Sequence, residues 1–298
     1  MKKILIILIL FFNINAFEFL NEDLKQGDGL VLYELDQDYK NFIAYLKKND
    51  KTLTASSAFL IEKNNKKIWV LALGLSPEFK EGKYNLELKI TEKDNKIIFI
   101  EKEIIINKSV YLIETLNMNN KSSDLILKPD PKKAEESKVL SKILMVFNKE
   151  INTFDLFKEP IKKIFYTATF GDQRKYIYSD SSTSLSYHKG LDYRGAIGTA
   201  VFAPSSAKVV LATKRILTGN SIVLEHYPGI YSLYYHLSKI NIEEGEIVKQ
   251  GQKIGEVGDT GFVTGPHLHW EFRIRGQAVN PLFFVRNNII NNKKIDSL

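Results

Sequence analysis

The chain has 298 residues and no cysteine. Disulfides are excluded, so the fold must rest on an apolar core or on a bound metal. Long hydrophobic runs are scarce as well. The run Ile4 to Phe12 covers about nine residues, less than half of the roughly 20 that a bilayer span needs, and no other segment is apolar enough to span. A basic run interleaved with aromatics is missing too, which argues against nucleic acid as a partner. Histidine is rare. There are five, none before residue 188, so the first half is a poor place for a histidine-based site.

What is present describes a folded, exported protein. Hydrophobic residues make up 44% and charged residues 26%, the range of globular proteins, and the length allows two domains. Lys2 and Lys3, the apolar run, and Asn13-Ile14-Asn15-Ala16 have the layout of a secretory signal peptide over residues 1–16, cleaved after Ala16. The alternative is an uncleaved anchor, the only case in which membrane contact is expected. No cysteine follows the run, so a lipoprotein anchor is excluded. The net charge is +7, and loss of Lys2 and Lys3 lowers it by two to +5. That excess favours polyanions such as cell-wall polymer or anionic lipid.

The patterning predicts a mainly β protein. Between Gly29 and Ile106, short β-rich runs such as "LVLYELD", "KIWVLALGL" and "KYNLELKITE" alternate with turn signals at Asn49-Asp50, Asn64-Asn65, Ser76-Pro77 and Asp94-Asn95. They predict a small amino-terminal β-sandwich, residues 17–120. Lys121 to Pro131 reads as a linker by composition. Ala134 to Glu150 then carries Val139, Ile143, Val146 and Phe147 on one stripe of an amphipathic helix, so 121–164 is expected to be linker and helix. From 165 to 285 the chain turns Gly-rich and strand-rich, with Pro228-Gly229 as a hairpin turn. Residues 286–298 read as a polar tail.

The five histidines, His188, His226, His236, His267 and His269, all fall in that last domain. On a strand, residues i and i+2 share a face, so His267 and His269 of "HLHWEF" are expected to project together while Leu268 and Trp270 enter a core. His188 and Asp192 of "HKGLD" can meet if the chain turns at Gly190. Three protein ligands plus a water make a catalytic zinc site, and imidazole and carboxylate suit zinc. His188, Asp192 and one histidine of the pair are candidates for the three; the other histidine and His236 are left for proton transfer or oxyanion stabilisation. His226, after "IVLE", fits a packed residue.

"HKGLD", "YYHLS" at 234–238 and "TGPHLHWEF" at 264–272 resemble the motifs of the lysostaphin-type (LytM) zinc metallopeptidases. "FGDQR" at 170–174, "GTAVFAP" at 198–204, "VKQGQKIGEVGDTG" at 248–261 and Asn280-Pro281 fit the same pattern. The likeness spans about residues 165–285. More weakly, the first half is similar to the β-sandwich that precedes the peptidase in exported members, and the layout is similar to cell-shape endopeptidases of curved Gram-negative bacteria. The resemblance implies one Zn2+ per chain on His188, Asp192 and His269, with His236 and His267 as the catalytic pair. It implies an antiparallel β peptidase domain with a narrow groove. It also implies a periplasmic hydrolase of peptidoglycan stem-peptide cross-links, a D,D-endopeptidase with possible carboxypeptidase action, and partners among cell-wall and cell-shape proteins. Two other readings are a non-enzymatic wall-binding activator and an exported peptidase acting on proteins or glycine-rich bridges. The polar stretch 176–187 is expected to edge the groove.

Overall fold

A computed structural model of the protein describes residues 17–298 apart from 38, 151, 152, 154, 291 and 292. The expected signal segment, residues 1–16, lies outside the described residues.

The protein is mainly β. Its first part holds two facing sheets. One runs in the order Glu18–Phe19, Gly29–Leu35, Lys66–Gly74, Phe59–Lys63; the other in the order Leu24–Lys25, Ile97–Asn107, Gly82–Glu92, Tyr39–Lys48, Lys51–Ser57. Strands that alternate in sequence bury one face: Phe42, Ala44 and Leu46 point inward from Tyr39–Lys48, and Tyr84, Leu86, Leu88 and Ile90 from Gly82–Glu92. "GLVLY" and "IWVLALG" do not alternate because their sheet is covered on both faces. Leu30 and Leu32 enter the sandwich core, while Val31 and Tyr33 enter a cluster shared with the second half. Asn49-Asp50 and Asn64-Asn65 close hairpins with φ of 49° and 60°, and 52° and 59°, the paired positive values that two-residue turns require.

The connecting region departs from expectation. The strand Ile113–Asn117 leaves the sandwich and pairs in parallel with Gln173–Ile177, so the sandwich strands end at Asn107. The segment expected as a linker contains the helix Asn120–Leu127, capped by Asn119, whose Oδ1 accepts from Ser122 N at 2.8 Å. A second helix, Pro131–Met145, starts earlier than expected because Asp130 caps it and Pro131 supplies its first position. It ends at Met145, so Val146 and Phe147 are not on its stripe. Val139 is exposed; Leu140, Ile143 and Leu144 pack on Leu211, Val223 and Leu233 instead.

The second half is built on an antiparallel sheet in the order Tyr166–Ala168, Gly190–Arg194, His267–Ile274, Ile230–Ile240, Gly219–Tyr227, Ala207–Arg215, Ile247–Val248, with Lys253–Val257 and Gln277–Val279 attached. Pro228-Gly229 forms the hairpin turn, Gly229 with φ +75°. The stretch 176–187 folds into the hairpin of Gln173–Ile177 and Thr183–Tyr187.

The halves share one apolar cluster. Tyr33, Phe59, Ile68 and Val70 from the first join Tyr227, Trp270, Phe272 and Phe284 from the second, and the Phe59 and Tyr227 rings stack at 6.1 Å. The expected polar tail is part of this joint. Ile289, Ile290 and Ile295 are buried, Tyr33 Oη donates to Ile289 O at 3.0 Å, and Lys63 pairs with Asp296 at 2.7 Å. Its three isoleucines, set among asparagines and lysines, join the shared cluster.

Candidate metal centre and active site

Strand register brings the distant motifs together. Gly190–Arg194 lies antiparallel to His267–Ile274, with Asp192 opposite His269 and Arg194 opposite His267. On the other side, Ile230–Ile240 sets Tyr235 opposite His269. Alternation puts His267, His269, Glu271 and Arg273 on one face, while Leu268, Trp270 and Phe272 are fully buried behind them. Gly190 does not turn the chain, as the spacing suggested. It sits in extended strand, where a Cβ would lie 2.4 Å from the Trp270 carbonyl oxygen. The glycine serves close approach of two backbones, and His188, just ahead of the strand, reaches Asp192 without a bend at 190.

His188, Asp192 and His269 converge. His188 Nε2 lies 3.0 Å from Asp192 Oδ1 and 3.0 Å from His269 Nδ1, and His269 Nδ1 lies 2.7 Å from Asp192 Oδ1. The outer nitrogens are committed. His188 Nδ1 faces the Thr169 carbonyl at 2.7 Å, and His269 Nε2 faces Glu271 Oε1 at 2.9 Å. A carbonyl and a carboxylate only accept, so each outer nitrogen donates. Neutral imidazoles therefore turn lone pairs toward Asp192 Oδ1, and three lone pairs meet with no proton between them. The other solution is a proton on His269. Burial opposes its charge, but the Asp192 and Glu271 carboxylates outweigh burial and raise its pKa to about 9. Burial dominates at His188 and lowers its pKa. At Asp192 burial works against the charge, yet His188 and His269 hold the carboxyl well below its usual range. Both solutions call for positive charge at one point. Two imidazole nitrogens and a carboxylate oxygen, all buried, fit a divalent metal such as zinc there.

His236 and His267 stand beside this cluster. His236 has φ of +63°, a backbone state uncommon for a side-chain-bearing residue. It sits on a bulge: Asn220 pairs with Leu237 and Ile222 with Tyr234, leaving one extra residue on the histidine strand. The bulge turns the ring toward His267, 5.0 Å away between centroids. His236 Nδ1 donates to Thr260 O and His267 Nδ1 to Gly265 O, each at 2.8 Å. In the neutral state that leaves Nε2 of both as an acceptor. Burial first, and then neighbouring His269 and His267, lower the His236 pKa to about 3, so it is neutral at neutral pH. His267 Nε2 lies 3.7 Å from Asp192 Oδ1.

Sequence reasoning left out the supports. Arg174 Nη2 donates to Asp192 Oδ2 at 2.7 Å. Glu271 joins His269 to Arg273, whose Nε donates to Glu271 Oε2 at 2.7 Å. Glu271 and Arg273 continue the i+2 alternation of the two histidines, a signal present in "HLHWEFR". Arg174 was within the quoted "FGDQR", but nothing in the spacing ties it to Asp192. The fifth histidine, His226, is apart from the site: fully buried, it bonds Ser206 O at 3.0 Å and Ser232 Oγ at 2.8 Å. A cleft of about 500 Å³ opens over the group, lined by Asp192, His236, His267 and His269 and by Tyr176, Tyr178, Ser184 and Ser186 of the hairpin.

Residues 186–281 match the model of Peptidase family M23. Over 95 residues the chain is 42% identical to the peptidoglycan DD-endopeptidase ShyA of Vibrio cholerae, a stretch that is 32% of this chain and 22% of that protein. It is 43% identical over 95 residues, 32% of this chain and 22% of the other, to the DD-carboxypeptidase/endopeptidase Mpg of Neisseria meningitidis. The chain thus spans about a fifth of the length of these curated relatives. A crystal structure described as that of an M23 peptidase from Pseudomonas aeruginosa superposes with a TM-score of 0.63 at 20% identity. It covers 89% of this chain and 96% of its own, a likeness of fold that includes the amino-terminal sheets.

Proposed function

We propose that this chain, whose residues 186–281 match the model of Peptidase family M23, is a zinc-dependent metallopeptidase that hydrolyses the stem-peptide cross-links of peptidoglycan. One observation carries the reading: His188 Nε2, Asp192 Oδ1 and His269 Nδ1, three buried atoms of metal-ligating type, meet at one point beside a cleft that also holds His236 and His267. The bond we assign is the D-Ala–diaminopimelate cross-link, cut as a D,D-endopeptidase, with carboxypeptidase action secondary. The named activities of the V. cholerae and N. meningitidis relatives support that substrate.

His188, Asp192 and His269 would hold the metal. Zinc held there would supply Lewis-acid chemistry, polarising a carbonyl and making a water a ready nucleophile near neutral pH. His236 is neutral when substrate arrives, so its Nε2 can take the proton of the attacking water and return it to the leaving amine. His267, with Nδ1 tied to Gly265 O, keeps its ring fixed toward the same space, where Nε2 can accept the same proton and, once it carries one, donate to the developing oxyanion. Arg174 offsets the charge of Asp192 at Oδ2, the oxygen that the two histidines do not share. We assign the protein to the periplasm, the compartment that a wall substrate calls for. Among the described residues no helix is long and apolar enough to cross a membrane. A part in wall remodelling and cell shape follows from this reading.

The test is chromatography of purified wall fragments after treatment. The expected result is conversion of cross-linked dimers to monomers, lost with a chelator and restored by zinc. Dimers left intact in the presence of zinc would instead support a non-enzymatic activator.

A further inference from the structure

The strand Ile113–Asn117 lies outside residues 186–281, yet it forms part of the cleft. It runs parallel to Gln173–Ile177 in full register, from Ile113 opposite Gln173 to Asn117 opposite Ile177. Gln173 N donates to Leu112 O and Met118 N to Ile177 O, each at 2.8 Å, which fixes both ends. Alternation then turns Glu114, Leu116 and Met118 into the cleft, on the side of Arg174 and Tyr176. The helix Asn120–Leu127 adds Ile126 to the same lining. That helix is fastened too: Ser123, buried, accepts from Ser179 N at 2.9 Å. Leu116, Met118 and Ile126 are each half-buried. Phe262 and Val263 also line the cleft, and the Tyr176 and Phe262 rings come within 6.2 Å between centroids. Arg174, the cation on this wall, lies between two carboxylates: its Nη2 donates to Asp192 Oδ2 at 2.7 Å and its Nε is 4.0 Å from Glu114 Oε2.

We propose that Leu116, Met118 and Ile126 form a fixed substrate-binding wall, supplied by the connecting region, that receives an uncharged aliphatic arm of the peptide substrate. The inference rests on the peptidase reading above and adds a specificity element to it. An apolar wall whose cation is occupied favours small aliphatic side chains, such as the methyl groups of alanine residues, over acidic ones. Hydrogen bonding along the whole strand and the two pinned ends make it a wall, not a removable plug.

Binding is measured by calorimetry, titrating a cross-linked stem-peptide dimer into the full-length protein carrying His267→Ala, so that the dimer is not consumed. Leu116→Ser/Met118→Ser in that background is expected to weaken binding roughly tenfold. Ile126→Ser, on a separate element, is expected to weaken it in the same direction, which keeps the test intact if the double variant folds poorly. With His267 restored, the variants should raise KM and leave kcat and zinc content unchanged. Unchanged affinity in both variants, no dimer binding by the parent, or faster turnover in the variants, as release of a plug would give, each overturns the proposal. A parent with His267 that binds but does not cleave would overturn the peptidase reading alone.

Discussion

Glu271 decides which nitrogen of His269 faces Asp192. Its Oε1 accepts from His269 Nε2 at 2.9 Å and its Oε2 is held by Arg273. Burial works against its charge, but Arg273 and His269 keep its pKa low, at about 2. Carboxylates behind metal-bound imidazoles commonly contribute 10–100-fold to metal affinity. Glu271→Ala is expected to weaken zinc binding by roughly that factor, read by competition with a chelator, while Glu271→Gln, which keeps an acceptor, recovers part of it. Equal affinity in all three proteins would remove Glu271 from the account. His226 makes a separate prediction. Burial lowers its pKa from 6.5 to about 4. Its folded value lies below its unfolded one, so the unfolded chain binds the extra proton between those pH values. Stability from this residue is full above pH 6.5 and falls by about 1.4 kcal/mol per pH unit down to pH 4. Urea midpoints measured from pH 7.5 to 4.5 should fall less steeply in His226→Gln than in the parent protein.

The strands carry the geometry. "HLHWEF" was readable as a strand because its two faces differ so sharply, and the structure pairs it where His269 meets Asp192. Gly190 was readable as important but not for the right reason: the sequence cannot say that the Trp270 backbone passes 2.4 Å from its missing Cβ. Gly190→Ala should push the two strands apart, cost about 1–3 kcal/mol, and weaken metal binding. Thermal unfolding and zinc titration of the variant check both effects; a protein of parental stability and affinity would contradict them. The pairing of Ile113–Asn117 with Gln173–Ile177 was hidden for another reason. "IETLN" has no buried face, with only Leu116 partly covered, so its place depends on a partner distant in sequence. The helix Asn120–Leu127 was missed because Lys, Ser and Asp read as linker. Only Asn119, placed to cap it, marked its start.

The two halves of the molecule are bound through one apolar cluster, not joined by a loose tether. Tyr33, Phe59, Ile68 and Val70 would lose their cover if the halves parted, and so would Tyr227, Phe272 and Phe284. Removal of residues 17–107 is therefore expected to give an aggregating, poorly folded product, seen by size-exclusion chromatography and near-UV circular dichroism. A monomeric, cooperatively folded fragment would show that the second half needs no such cover. In sequence the chain reads as a β-rich front and a histidine-bearing back, but the docked tail and the shared core depend on faces that composition does not reveal. His188, Asp192 and His269 are proposed to share one metal cation, and metal analysis of dialysed protein tests this most directly. The full-length chain should retain one zinc per molecule and His269→Ala should retain none, whereas a metal-free parent, or a variant that keeps its zinc, would contradict the account.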